Sequence, residues 1–413
     1  MKIAYVSPLP PERSGIADYS ALLLPALRQR LKIQTVRPGR RLPRGCDVTL
    51  YHLGNDVDAH GWIFRLLERR RGIVVLHDFV LHHLIAGLTV GAGDGEAYLR
   101  ALEAEAGLAG RLLGHGVLDG SLPPLWETRP QDFPLVDSVL ARADGVIVHS
   151  SYVAPHVRMR RYEGPIWQIP HPAWPPPPRR SIALPSRGRT VIGCFGHLNT
   201  TKRLPQLLEA VARLRAHGQP VLLVLAGTIA PGLELEERAA RLGLEPGRDL
   251  LPLGRVSEDR LWDLIHASDV CVTLRQPTMG ETSGIAIRAL SAGKPLVVSG
   301  RGWFAELPDG VAAKVPVDAW EVDTLTAVLE RLCSDTTLRE RLGGAASQYA
   351  RAEHGLERVA DLYTAALEEA AGGPAVTARV ARQVAQSVHD IGLRAADSEL
   401  AMVGARMREI GLC

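Results

Sequence analysis

Short apolar runs recur along the whole chain, and they limit the folds open to it more than any other feature. Lys2 to Val6, Val48 to Tyr51, Ile73 to His77, Gly145 to Val148 and Ile166 to Ile169 are followed by Val191 to Phe195, Val221 to Ala226, Leu250 to Leu253, Val270 to Leu274, Pro295 to Val298 and Val311 to Val315. Such runs, rich in Val and Ile and bounded by Gly, Pro or Asp, fit strands buried on both faces, as in a parallel sheet. Between them the period changes. Leu204, Leu207, Leu208, Val211 and Leu214 recur at spacings of three and four, the apolar face of a helix. Alternating strand and helix predicts an α/β fold.

Five prolines between Pro172 and Pro178 cannot continue a helix or a central strand, so this stretch reads as a linker. The expected architecture is two doubly wound, Rossmann-like domains, 1–175 and 176–350, facing one another across a cleft. Residues 351–413 would be C-terminal helices packing back on the body. From Asp335 the pattern is almost wholly helical, with a break at Gly372, Gly373 and Pro374, and Val380, Val384, Val388 and Ile391 recur at helical spacing up to Leu412. A helix that self-associates is the other reading of that last segment. Ligands of doubly wound sheets sit at the carboxyl ends of the strands.

Composition narrows the function. With 46% hydrophobic and 23% charged residues the chain is a globular protein,. No apolar run reaches the roughly 18–20 residues a spanning helix needs, since Ile73 to Val90 carries His77, Asp78, His82 and His83,. The N-terminus lacks the features of a secretory signal. Five scattered cysteines, Cys46, Cys194, Cys271, Cys333 and Cys413, form no CxxC pair, so a reducing cytoplasm is expected. A net charge of +3 does not make the strongly basic face of a nucleic-acid binder. Residues 1–180 nevertheless hold 22 Lys and Arg against 17 Asp and Glu, with clusters at Arg40, Arg41 and Arg44, at Arg69 to Arg71, and at Arg158, Arg160 and Arg161. These are solvated surface arginines, or they face an anionic membrane or a phosphate-bearing acceptor.

Four segments carry chemistry. After the first strand, Ser14 and Gly15 precede a helix expected from Tyr19 to Leu31; Gly15 either completes a tight turn or lets a ligand reach the main chain beside unpaired N–H groups. His77 and Asp78 end an apolar strand, where polar side chains lie at the ligand edge of the sheet. His82 and His83 follow without a recognised ligand spacing, and no metal is assigned. The second half opens with a strand, then Gly196, His197, Lys202 and Arg203: cations beside a helix start, as a diphosphate requires, or ordinary surface charge. After Thr273 come Arg275, Gly280, Glu281, Thr282, Ser283 and Gly284. Here a carboxylate for sugar hydroxyls lies next to amides for phosphate, or Glu281 simply caps the following helix. The dinucleotide fingerprint GxGxxG is absent, which argues against a nicotinamide or flavin enzyme.

Taken in order, these segments resemble the family-4 group of retaining glycosyltransferases of the GT-B fold, the glycosyl transferases group 1. The likeness runs to about residue 370 through Ser14-Gly15, His77-Asp78, Ala143 to Ser150, Phe195 to Lys202, Ala226-Gly227, Leu253 to Val256, and Gly280 to Gly284 with Gly293-Lys294-Pro295. It implies transfer of a hexose from a nucleotide-diphosphate sugar to a hydroxyl of a glycan or lipid-linked acceptor, with the anomeric configuration retained and no metal or other cofactor.

By the same resemblance Gly15 lies against the donor phosphate or the acceptor, and His77 contacts the donor sugar with its carbonyl near the anomeric carbon. Lys202 neutralises the leaving diphosphate, Glu281 holds sugar hydroxyls, and Gly254, Arg255 and Val256 border the nucleobase. Gly196, Gly280, Thr282, Ser283, Gly284 and Arg288 complete the donor site. Two positions depart from the family. His197 stands where it usually has Arg, so Arg203 or Arg275 has to supply the second cation. The family's ribose-binding Glu falls at Ala289, or at Arg288 when the helix is aligned on Gly293-Lys294-Pro295. A GT-B module that binds nucleotide sugars without turnover is the alternative, and a GT-B epimerase or phosphorylase a further one. The enzyme is expected in the cytoplasm, with peripheral contact at the inner face of the membrane.

Overall fold

The computed structural model describes residues 1–12, 14–372, 374–392, 394 and 397–409, with side chains at all of these except 231, 374–379, 382 and 389. Cys413, Leu412 and Gly373 lie outside the described residues. The chain forms two compact units, one of Met1–Ile169 with Val359–Cys413 and one of Pro170–Arg358.

In the first unit six strands, β1 (Lys2–Val6), β2 (Lys32–Val36), β3 (Val48–Leu53), β4 (Gly72–Leu76), β5 (Ala143–Val148) and β6 (Ile166–Gln168), form a sheet in the order β2-β1-β3-β4-β5-β6. Every pairing is parallel. β3 and β4 are buried throughout, whereas β2, at the sheet's border, exposes Lys32 and Gln34. That exposure explains why β2 has no continuous apolar run and escapes sequence reading. The first helix runs Gly15–Arg28 rather than Tyr19 to Leu31, because the Ser14 hydroxyl accepts the Ala17 N–H at 3.0 Å and caps it. Helix Leu356–Ala371 belongs to this unit from Val359 onward. It is seated by a 2.7 Å hydrogen bond between the Tyr363 and Tyr19 hydroxyls, by Arg30 on Asp361 at 2.7 Å, and by Trp167 Nε1 donating to Glu369 at 2.9 Å.

The second unit repeats the plan. β7 (Thr190–Phe195), β8 (Val221–Ala226), β9 (Leu250–Pro252), β10 (Val270–Thr273), β11 (Leu296–Ser299) and β12 (Ala312–Val315) lie in the order β12-β11-β10-β7-β8-β9, all parallel. Successive side chains of a strand point to opposite faces, and both faces here are packed. Leu223 and Leu225 join Leu207, Leu208, Val211 and Leu214 of helix Leu204–Ala216. Leu222 and Val224 join Trp262 and Ile265 of one helix and Ile287 and Leu290 of another. Two six-stranded parallel sheets with flanking helices and a helical C-terminal region are the architecture of GT-B structures. Among the described residues no helix is long and apolar enough to cross a membrane.

Leu223 is fully buried in an interior strand. Leu223→Ala should therefore destabilise its unit by about 2–5 kcal/mol, through lost transfer energy and the cavity left behind. Urea unfolding followed by tryptophan fluorescence measures it, and a change under about 0.5 kcal/mol would contradict the packing described.

Candidate functional site

In the second unit the strand order reverses between β7 and β10. Loops from the carboxyl ends of two such strands diverge and leave room for a ligand. The loop after β7 turns at Gly196, whose φ is +96°, and lies against the loop after β8 at Gly227, whose φ is +144°. A Cβ on Gly227 would stand 1.7 Å from the Gly196 carbonyl oxygen, so the two loops meet main chain to main chain. A Cβ on Gly196 would lie 3.9 Å from Lys202 Nζ.

Lys202 is only 5% exposed, and its ammonium has no hydrogen bond or salt bridge among the described residues. Burial and, after it, the nearby Arg275 guanidinium lower its pKa to about 7, while Cys194 and Glu281 pull the other way. Arg275 reaches this place from the loop after β10. Its Nε lies 2.7 Å from Glu281 Oε1, and its Nη1 donates to Thr201 Oγ1 at 2.8 Å. Glu281 Oε2 accepts the Met279 N–H at 2.7 Å and the Thr278 hydroxyl at 2.9 Å. The cap of helix Gly284–Ser291 is Ser283, which takes the Ala286 N–H at 3.3 Å. Glu281 therefore does not cap that helix; its carboxylate is set by the turn before it. Thr282 Oγ1 is buried without a hydrogen-bond partner among the described residues.

The other sequence candidates are placed differently. Arg203 is clamped by Glu321, which accepts from its Nε at 3.0 Å and from its Nη2. Arg288 is 5% exposed, donates to Glu258 at 2.9 Å, and stacks with its guanidinium carbon 3.6 Å from the centre of the Trp174 ring. Gly284 adjoins this stack, 3.4 Å separating its would-be Cβ from Trp174. His197 and Arg255 are exposed, Val256 packs on the apolar cluster, and Gly280 has a φ of +82°. Gly196, Lys202, Arg275 and Glu281 thus form one cluster. Thr201, Glu321, Glu258 and Trp174 are partners that sequence reasoning missed.

The first unit reverses order between β1 and β3. Gly15 opens helix Gly15–Arg28 with nothing within 4 Å of a would-be Cβ and no positive φ, so no tight turn requires glycine here. His77 sits just beyond β4 and is 8% exposed. Its Nε2 is 3.0 Å from His52 Nδ1 and its Nδ1 is 3.3 Å from His149 Nε2, with Tyr19 packed edge-on at 4.7 Å. His149 Nδ1 lies 2.8 Å from the Ile169 carbonyl. A carbonyl only accepts, so His149 Nδ1 carries the proton, and the tautomers of a neutral row follow: His52 donates to His77, which donates to His149. His52 Nε2, at the row's end, is buried without a partner among the described residues. Among those residues no group of three His, Cys, Asp or Glu is arranged to hold a metal ion.

Residues 179–349 match the family of glycosyl transferases group 1. The D-inositol 3-phosphate glycosyltransferase of Corynebacterium kroppenstedtii is 30% identical over 181 residues, 42% of this chain and 39% of that protein, so the match spans about two fifths of the relative. Among solved structures, sucrose-phosphate synthase from Thermosynechococcus elongatus is similar with a TM-score of 0.63 at 17% identity, covering 89% of this chain and 98% of that one. Anabaena HepE in complex with UDP and glucose gives 0.59 at 16% identity, covering 89% and 100%. At these identities the likeness is one of fold.

Burial also fixes a pH dependence. It pushes His52 well below the ordinary imidazole range, and His60 and His82 down to about 4. An unfolded chain takes up protons at these residues near pH 6.5 while the folded one does not. Stability should be full above about pH 6.5 and fall towards pH 4, by about 1.4 kcal/mol per pH unit for each group. Chemical denaturation across pH 4–8 tests this, and a flat profile below 6.5 would contradict the burial of these three imidazoles in neutral form.

Proposed function

We propose that this chain, whose residues 179–349 carry a glycosyl transferases group 1 domain, moves a hexose from a nucleotide-diphosphate sugar to a hydroxyl of a glycan or lipid-linked acceptor, retaining the anomeric configuration. One observation carries the reading: the Lys202 side chain, only 5% exposed, carries an ammonium whose charge is opposed by burial and by the nearby Arg275. An isolated cation away from water is costly unless an anion compensates it. Two adjacent cations next to the start of helix Gly284–Ser291 suit the two phosphates of such a donor.

The roles follow from the partners. Lys202 holds the diphosphate and stabilises the charge that develops as it departs, so no metal is required. Arg275 takes the part of second cation, because its charge acts on Lys202 while Arg203 is turned to Glu321; the Arg275 Nε is held by Glu281. Glu281, fixed through Met279 N–H, Thr278 and Arg275, accepts hydroxyl protons of the sugar in hydrogen bonds, and Thr282 Oγ1 offers a further polar partner. The open space at Gly15 supports approach of a ligand to the main chain. Both ring nitrogens of His77 face other histidines, which favours its carbonyl rather than its imidazole as the group near the anomeric carbon. In the retaining step the acceptor oxygen attacks from the face the diphosphate leaves, and the leaving phosphate oxygen takes the acceptor proton. The exposed His197 in place of an arginine motivates the non-catalytic alternative. Release of glucose or its transfer during incubation with UDP-glucose excludes that alternative.

Lys202→Ala should lower kcat by about 10²–10³, the usual cost of removing a donor that stabilises developing charge. Its thermal midpoint should change little, since the ammonium has no hydrogen bond or ion pair among the described residues to lose. Undiminished turnover would refute the assignment. Because the empty lysine titrates near 7 and a bound diphosphate favours its charged form, binding of UDP-glucose at pH 8 should take up close to one proton. Calorimetry in buffers of different ionisation enthalpy measures this; uptake retained in Lys202→Ala would place the proton elsewhere.

A further inference from the structure

From Arg28 to Cys46 the chain has seven Lys and Arg residues and no Asp or Glu. The fold lays this stretch along one border of the first unit: the last turn of helix Gly15–Arg28, the border strand β2, and the loop that leads to β3. Within the loop Arg37, Arg40, Arg41 and Arg44 are all exposed. Among the described residues the side chains of Arg40, Arg41 and Arg44 have neither ion pair nor hydrogen bond. The loop is anchored at both ends, by Arg37 Nη1 on the Pro10 carbonyl at 3.4 Å and by Arg70 Nη1 on the Pro43 carbonyl at 3.1 Å, and the second anchor brings another cation against it. Asp47, the first carboxylate beyond the stretch, accepts the Lys2 N–H at 2.7 Å.

Elsewhere on the same unit arginines find carboxylates: Arg71 has Asp144, Arg111 has Glu96 and Glu103, and Arg129 has Asp132. On this border Arg30 has Asp361, but the side chains of the loop arginines Arg40, Arg41 and Arg44 lack such compensation. None of its loop arginines is buried or held in a fork, so it does not have the preorganised geometry that grips a single phosphate. Residues 28–46 also contain no Phe, Tyr, Trp or His, the side chains on which nucleic-acid bases stack. Exposed cations spread along an edge match an anion that is itself spread over a plane, as lipid headgroups are.

We infer that this border is a membrane-docking surface, which seats the first unit on bilayers carrying anionic headgroups. The inference stands on charge and exposure in that unit and holds whichever sugar is transferred. The full chain should co-sediment with vesicles of phosphatidylcholine mixed with phosphatidylglycerol and not with phosphatidylcholine alone. Binding should be lost as salt rises from about 0.1 to 1 M, where the screening length shrinks from about 10 to 3 Å.

Each arginine near an anionic surface is worth about fivefold in partitioning. R37S/R40S/R41S/R44S should therefore bind roughly a hundredfold or more weakly. R241S/R248S/R331S/R341S, with the same net charge but altered in the second unit, should bind as the wild type does. Circular dichroism and the thermal midpoint establish that both variants are folded, and R40S/R41S gives an intermediate loss if the larger variant is not. Equal binding to neutral vesicles, or an equal loss in the second-unit variant, would overturn the proposal. So would displacement by millimolar glycerol phosphate, which would indicate a discrete phosphate site, or by an oligonucleotide at lower concentration than vesicles.

Discussion

Every strand pairing in both sheets is parallel, and the polar chemistry of the chain depends on that constraint. Parallel strands need long crossovers, which place helices on both faces and leave each strand's side chains little contact with water. Polar residues are then admitted where the strands stop. His77 follows β4, His149 follows β5, Gly196 follows β7 and Arg275 follows β10, all at carboxyl ends. Reversal of strand order, between β1 and β3 in one unit and β7 and β10 in the other, decides where along that edge the loops part.

At the second reversal the constraint becomes chemical. Gly227 and Gly196 bring two loops so close that any side chain on Gly227 would collide with the facing carbonyl. That approach leaves Lys202 enclosed, with Arg275 and Glu281 near enough to influence its charge. A lysine in water forms transient pairs with any passing anion. This one has given up most of its contact with water, and burial and Arg275 oppose its charge more than Glu281 and Cys194 favour it.

Much of this was legible in the chain itself. β8 reads as strand because all six of its residues are apolar and all are buried on two packed faces. β2 does not, because a border strand alternates and its Lys32 and Gln34 face water. In the candidate site, Lys202 and Glu281 were singled out by their positions after strands and by the resemblance. The engagement of Arg203 could not be read, since Glu321 is distant in sequence and is brought to it by the packing of two helices. Arg288 is a similar case: Glu258 and Trp174 come from other segments, and no local pattern announces either. Sequence reading treated His77 as a single side chain, because His52 in β3 and His149 just after β5 flank β4, and the register of these strands brings the three together only after folding.

That trio has a consequence of its own. His77 and His149 each give at one nitrogen and receive at the other, His52 gives at Nδ1, and the Ile169 carbonyl dictates the sense for all three. The arrangement is a one-way wire. Its polarity cannot be reversed one link at a time, because turning a single ring would set two lone pairs or two hydrogens against each other. Replacing His149 by a residue that only accepts would leave His77 and His52 in step, whereas one that only donates would oblige both to invert together.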